Sequence, residues 1–247
     1  MSESAKHHQE NVYFDYVASL EKINRVFDFK IPSLKILDLG CGDGRLSKEL
    51  VDLGHEVWGV DVNEAGLAQA RIFGLQTVQA DIETKIPLED AQFDLILFLD
   101  TLEHLNNPEA VLKEIHRLLK DDGQVIISCP NHFDLRNRLQ MLFGGGIIHW
   151  AHRQYATSVP WAYGHIRFLL FKELEELLNL CGLYIKVSQY NFMAGGVIPR
   201  RLTPSGLRKF LLKRWPQLLS GKYVILADKT KGPINKKIFL PATPKGM

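Results

Sequence analysis

Lys35-Ile-Leu-Asp-Leu-Gly-Cys-Gly-Asp-Gly-Arg-Leu46 is the stretch whose reading decides the fold. Lys35 to Leu39 is a short apolar run broken by one acid, the pattern of a strand buried on both faces. Gly40, Gly42 and Gly44 then fall at alternate positions, and Leu46-Ser-Lys-Glu-Leu-Val51 resumes with apolar residues at helical spacing. Strand, glycine loop and helix open a βαβ unit, where a ligand can meet bare backbone at a helix N-terminus. The N–H groups there favour a negative group, and Asp38 favours a cation. A ligand carrying both an ammonium and a carboxylate satisfies that pair better than a pyrophosphate does. The dinucleotide fingerprint G-x-G-x-x-G fails, because Arg45 stands where its third glycine belongs.

Downstream, strands and helices alternate. His55 to Asp61 reads as a second strand ending in an acid. A carboxylate there faces the glycine loop across the sheet edge and can accept two hydrogen bonds from a ribose diol. Asn63 caps a helix that Gly74 ends. Thr77 to Ala80 is a third strand, followed by Asp81. Phe93 to Leu99 is the most apolar run and predicts the central fourth strand, feeding Asp100-Thr-Leu-Glu-His-Leu105. Pro108 starts a helix with Val111, Leu112, Ile115, Leu118 and Leu119 as its buried stripe. Lys120 to Gly123 reads as a turn and Gln124 to Ser128 as the fifth strand. Leu135 to Phe143 reads as a helix, and Ile147 to Trp161 shows no periodicity, as expected of an inserted cover. Lys172 to Cys181 reads as a helix and Leu183 to Val187 as a strand. Leu207 to Trp215 is a basic helix stopped by Pro216, and Lys222 to Ala227 is the last strand. Upstream, Asn11 to Leu20 puts Val12, Tyr16 and Leu20 on one helical face, where Tyr16 could lid a ligand. The alternation predicts an open, doubly wound α/β sheet.

The composition agrees with that class. The chain has 247 residues, 46% hydrophobic and 23% charged, which suits one globular domain with an elaborated end. The polar start Met1 to Glu10 lacks the apolar core of a secretory signal, and no apolar run reaches membrane-span length. Cys41, Cys129 and Cys181 form no C-x-x-C pair, which predicts reduced thiols, a cytoplasmic protein and no metal site. The charge is uneven: from Arg200 onward there are twelve Lys/Arg against one acid, Asp228, whereas the preceding residues hold eighteen bases and twenty-seven acids. A basic end can meet an anionic partner. For Lys229 to Met247, with three prolines, a solvated tail is the expectation.

Taken together, D-L-G-C-G-D-G at Asp38–Gly44, the acids Asp61 and Asp81, F-D-L-I-L-F-L-D-T-L-E-H-L at Phe93–Leu105 and L-L-K-D-D-G-Q-V-I-I-S-C-P-N at Leu118–Asn131 resemble the class I S-adenosylmethionine-dependent methyltransferases. His165–Phe168 and Trp215–Leu219 are similar to a bacterial subgroup acting on small molecules of quinone, glycan and lipid pathways. The resemblance implies a Rossmann-like sheet, mostly parallel with an antiparallel last strand, and a helical cover insertion. Residues 1–34 then form an N-terminal helical cap and 35–228 the methyltransferase domain, its cover at about 132–170. Residues 229–247 are a basic, flexible tail.

It also implies S-adenosylmethionine as cofactor. Gly40, Cys41, Gly42 and Gly44 would approach its methionine end, with Asp38 near the amino group and the Leu99 carbonyl beside it. Asp61 would hold the ribose, Val62 would pack on the adenine, and Asp81 with the Ile82 backbone would meet the adenine amino group. His104 follows the fourth strand on the side where the methyl should lie and is the first candidate base; capping the short helix and ordering the loop is its other reading. His132 and His165 are further candidates. Tyr16, Tyr163 and Arg167 are candidates for the acceptor, Arg167 alternatively pairing with Glu173 or Glu175. The expected partner is a small-molecule acceptor, anionic if Arg167 meets it. The runner-up reading is a nucleic-acid or protein methyltransferase using the basic stretch Arg200–Arg214, disfavoured because no N/D-P-P-F/Y loop ends the fourth strand; a silent cofactor-binding regulatory module is the other alternative.

Overall fold

The computed structural model describes residues 23–31, 33–147, 164–192 and 204–239. In chain order the elements are β1 (Lys35–Leu39), α1 (Arg45–Asp52), β2 (Glu56–Asp61), α2 (Glu64–Ile72), β3 (Gln76–Gln79) and β4 (Phe93–Leu99). A single 3-10 turn at Leu102–His104 leads to α3 (Pro108–Leu118), β5 (Leu119–Pro130) and α4 (Leu135–Leu142). Then come α5 (Phe171–Leu180), β6 (Tyr184–Phe192), α6 (Ser205–Arg214), α7 (Pro216–Leu219), β7 (Ser220–Asp228) and β8 (Asn235–Phe239).

One eight-stranded sheet runs in the order β3-β2-β1-β4-β5-β7-β6-β8. The pairs β1–β2, β1–β4, β2–β3 and β4–β5 are parallel, and β7 lies antiparallel to both β5 and β6. The order reverses between β1 and β4, so the crevice at the C-terminal edge of these strands is where an open sheet of this kind binds ligands. Because β7 runs the other way, its beginning, not its end, reaches that edge: Lys222 pairs with Pro130 and Asp228 with Gln124.

Side-chain alternation splits the central strands between two cores. Leu95 and Leu97 of β4 join Ile36, Leu46 and Leu50 on one face, while Ile96 and Phe98 join Val111, Leu112, Ile115, Leu174 and Leu178 on the other. Both faces are covered, which explains the unbroken apolar run at Phe93–Leu99. The helix starts follow the expected chemistry: the Asn63 side chain accepts from the Ala65 and Gly66 N–H groups, and Asn107 caps α3 with Pro108 at its first position. Ile23, Val26 and Phe29 pack on the Leu95 face, and buried His55 ties this segment down. Its Nδ1 accepts from Leu34 N–H at 3.1 Å, so Nε2 donates to the Phe29 carbonyl at 3.0 Å.

Three expectations change. Lys120–Gly123 is not a free turn but the bulged start of β5: Phe93 pairs with Leu119 and Leu95 already with Gln124. The segment after residue 229 is not wholly tail, because Asn235–Phe239 adds an edge strand parallel to β6. Pro216 both ends the basic helix and starts the next, since a proline costs nothing where the N–H would be unpaired anyway. The expected helix Asn11–Leu20 and residues 148–163 of the cover lie outside the described residues.

Candidate functional site

The loop after β1 shows why its glycines are spaced as they are. All three have positive φ, 84° at Gly40, 55° at Gly42 and 73° at Gly44. Their surroundings differ. A Cβ on Gly44 would sit 2.7 Å from the Ala70 Cβ of α2, and one on Gly40 would sit 3.0 Å from the Thr101 hydroxyl. At Gly42 nothing among the described residues lies within 4 Å. Gly44 is therefore needed for helix packing, whereas Gly42 is the position whose open side can admit a ligand. Gly44→Ala is expected to lose about 2–5 kcal/mol of stability, combining left-handed strain of about 1–2 kcal/mol with overpacking of about 1–3 kcal/mol. Gly42→Ala should lose only the strain while weakening cofactor binding. Chemical denaturation and ligand titration of both variants check this; equal stability losses would contradict the division.

Cys41 fills the space above Gly59, where an added Cβ would meet its Sγ at 2.6 Å. Burial and the nearby acids Asp38 and Asp61 push its thiol up, away from the reactive thiolate. Asp38 is buried and accepts from the Ser47 hydroxyl at 2.7 Å. Burial above all raises its carboxyl to about 6, against the lowering effect of Ser47. Ser47 on α1 is a partner that the sequence reading missed.

Asp61 closes β2. Its Oδ2 accepts from Gly42 N–H at 2.9 Å and its Oδ1 from Asn63 N–H at 2.9 Å, which ties the glycine loop to the start of α2. A carboxylate oxygen has two lone pairs, so each retains acceptor capacity toward the crevice. Val62 next to it is 61% exposed, an apolar side chain at the rim. Asp81 is exposed and accepts from Glu83 N–H at 2.9 Å, so in this structure it braces its own turn. Ile82 beside it is half-buried against the core. The Leu99 carbonyl accepts from the Thr101 hydroxyl at 2.9 Å.

Beyond β4 the geometry gathers what the sequence scattered. Asp100 has φ 50°, unusual for a residue with a side chain, and is ion-paired with Lys222 at the start of β7. Ser128 also donates to Asp100, at 3.1 Å. Neither Asp100 nor Lys222 was singled out from the sequence. Glu103 is 3% exposed, and its Oε2 has no hydrogen-bond partner among the described residues. His165 Nε2 stands 3.9 Å from Glu103 Oε1, beyond hydrogen-bond reach. Burial therefore dominates and, helped by Asp100, raises the Glu103 carboxyl to about 8.

His104, His165 and His132 form a row. The His104 and His165 ring centroids are 4.7 Å apart and those of His165 and His132 5.1 Å, and His132 Nε2 meets His165 Nδ1 at 2.9 Å. His104 Nδ1 lies 2.8 Å from the Gly164 carbonyl. A carbonyl only accepts, so the neutral ring carries its proton on Nδ1 and its lone pair on Nε2. Donor atoms of Glu103, His104 and His165 lie within 4.8 Å of one another, a grouping that could hold a metal ion.

Arg167 goes neither to Glu173 nor to Glu175. Its Nε donates to the Leu105 carbonyl at 3.0 Å and its Nη2 to that of Asn106, so it fastens the loop after β4. Glu173 instead caps α5 through Leu170 N–H at 2.7 Å. Glu83 accepts from the Asn106 and Asn107 N–H groups at 3.1 and 2.6 Å and braces the same loop. Tyr16 and Tyr163 lie outside the described residues. Two surface clefts, one lined by Glu175, Tyr184 and Lys231 and the other by Phe27, Glu49 and Leu53, sit away from the glycine edge.

The glycine loop, Asp61 and the post-β4 cluster thus share one edge of the sheet. The family described as "Methyltransferase domain" matches residues 37–127, the span from β1 through most of β5. Residues 37–127 thus carry a methyltransferase domain of that family. Among similar proteins, the ubiquinone biosynthesis O-methyltransferase of Pseudomonas aeruginosa is 40% identical over 103 residues, covering 39% of this chain and 44% of that protein. The enzyme of the same name from Idiomarina loihiensis is 38% identical over 155 residues, covering 60% of this chain and 61% of that one. The chain thus spans about half the length of the curated relatives it matches. A solved Thermotoga maritima S-adenosylmethionine-dependent methyltransferase shares the methyltransferase fold with a TM-score of 0.62 at 20% identity, covering 92% of this chain and 96% of that one. Among the described residues no helix is long and apolar enough to cross a membrane.

Proposed function

We propose that this methyltransferase domain moves the methyl group of S-adenosylmethionine to an oxygen of a small-molecule acceptor. The observation that carries the reading is the His104 Nε2 lone pair, fixed by the Nδ1 bond to the Gly164 carbonyl, on the sheet edge that also bears the glycine loop and Asp61. When bound, the cofactor supplies an electrophilic methyl on a sulfonium, so the protein's task is alignment and exclusion of water. Asp61 would hold the ribose diol and the open side of Gly42 would admit the methionine end, with Asp38 and the Leu99 carbonyl at its ammonium. Val62, Asp81 and Ile82 would border the adenine. Aligned attack is worth about 7–11 kcal/mol of a displacement barrier. His104 would take the hydroxyl proton, with His165 and His132 holding its ring in line. Lys222, at the same edge, offers a cation to an acceptor with a negative group.

The two relatives named for ubiquinone biosynthesis support oxygen as the nucleophile and make a phenolic quinone-pathway intermediate the acceptor to try first. The test is release of S-adenosylhomocysteine on incubation with S-adenosylmethionine and hydroxylated aromatic acceptors, with RNA, DNA and protein fractions in parallel. Turnover on the phenolic set is the expected result. Turnover confined to a macromolecular fraction, or cofactor binding without turnover on any fraction, would overturn the proposal.

A further inference from the structure

Apart from Lys222, the basic C-terminal part of the chain takes no part in the proposed methyl transfer, and α6 is where its charge meets exposed apolar side chains. Ser205–Arg214 contains Arg208, Lys209, Lys213 and Arg214 and no acid. Leu212 faces inward and is fully buried, with Leu211 beside it against the core. Leu207, Phe210 and Arg214 follow at i, i+3 and i+7, one face of a helix. That face points out: Phe210 is 61% exposed and Leu207 43%. Trp215, at the helix end, is 44% exposed, with the Arg214 guanidinium 5.3 Å from its ring centroid. Two large apolar residues flanked by lysines and arginines and closed by a tryptophan have the chemistry of a helix lying in a bilayer interface: the apolar groups enter the acyl boundary and the cations meet the headgroups.

We propose that α6 docks this methyltransferase domain onto an anionic lipid bilayer. Charge complementarity selects that occupant. The chain from Arg200 onward is strongly basic, while the preceding part carries the excess acid that would keep the remainder off such a surface. Nucleic-acid phosphates would also draw the cations, but Leu207 and Phe210 in the middle of the basic face gain nothing from a phosphate backbone. The helix also adjoins the site. It runs directly into α7, whose Gln217 carbonyl accepts from the Asn131 side chain at 2.6 Å, one residue past the end of β5. Docking through α6 therefore brings the sheet edge that carries the site close to the membrane. The proposal does not depend on which acceptor is methylated.

Flotation of the full chain with vesicles tests it, using phosphatidylcholine alone and phosphatidylcholine mixed with phosphatidylglycerol. Binding is expected to require phosphatidylglycerol and to weaken as salt rises. Phe210→Ser should lower the apparent affinity about tenfold or more, the effect of withdrawing one large apolar side chain. The double variant Lys209→Glu, Lys213→Glu should lose the preference for phosphatidylglycerol. These side chains are exposed, so unchanged circular-dichroism melts serve as the folding control. Absence of vesicle binding by the unmodified chain, or binding indifferent to both variants, overturns the proposal. Retention of RNA or DNA through the same residues without vesicle binding also overturns it, in favour of a nucleic-acid surface.

Discussion

Asp61→Ala is expected to weaken S-adenosylmethionine binding by about 10²–10⁴-fold while leaving the fold intact. Two losses combine. The Asp61 carboxylate accepts from Gly42 and Asn63 N–H, so it holds the glycine loop in position for a ligand. Its remaining lone pairs are the acceptors proposed for the ribose hydroxyls. Hydrogen bonds to a charged group are worth about 1.5–3 kcal/mol each, so two of them account for about 3–6 kcal/mol, which is the stated change in Kd. Stability should change far less, because water can replace the carboxylate at these part-buried and exposed N–H groups. Asp61→Asn keeps one acceptor oxygen and should fall between the two proteins. Isothermal titration with S-adenosylmethionine gives the Kd values and thermal melting the fold. Binding of Asp61→Ala within threefold of the unmodified chain would remove the ribose role.

The contrast among the glycines shows where sequence reading stops. A loop rich in glycine signals positive φ and close approach, but not what approaches. Only the packed structure shows that Gly44 is pressed by Ala70 and Gly40 by Thr101, while no described residue stands against Gly42. The sheet itself was readable from β1 to β5, because strands buried on both faces must be apolar throughout and their loops must carry turn residues. β8 was not, since its sequence Asn-Lys-Lys-Ile-Phe has a tail's composition and its pairing with β6 is made by backbone. Lys222 could not be found either. It reaches Asp100 only because β7 is antiparallel and begins at the edge where its neighbours end. Arg167 shows the same limit at shorter range: sequence offers Glu173 and Glu175 as partners, whereas folding supplies the carbonyls of Leu105 and Asn106, about sixty residues upstream.

His104→Ala is expected to lower kcat by about 10²–10⁴-fold with a hydroxyl acceptor, the range for losing a positioned general base, and to leave the Kd of S-adenosylmethionine unchanged. The direction follows from one bond. The Gly164 carbonyl can only accept, so the proton on His104 is fixed at Nδ1 and the ring presents a basic Nε2. The ring packs edge-on against His165, and His165 meets His132, which limits its rotation. This places His104 in a different category from Asp61: the first should move kcat and the second cofactor binding. The competing role, in which His104 only orders the loop through Gly164, predicts that cofactor binding falls with activity. It also predicts that adding imidazole to His104→Ala restores nothing. A base role predicts partial rescue by imidazole, because the space left by the truncated side chain can admit a free ring bearing the same lone pair. Measuring kcat, KM for the acceptor and cofactor Kd together separates the two roles. A loss below tenfold in kcat, or a larger loss that imidazole does not relieve and that the cofactor Kd shares, would assign His104 to the scaffold and leave proton transfer to another group.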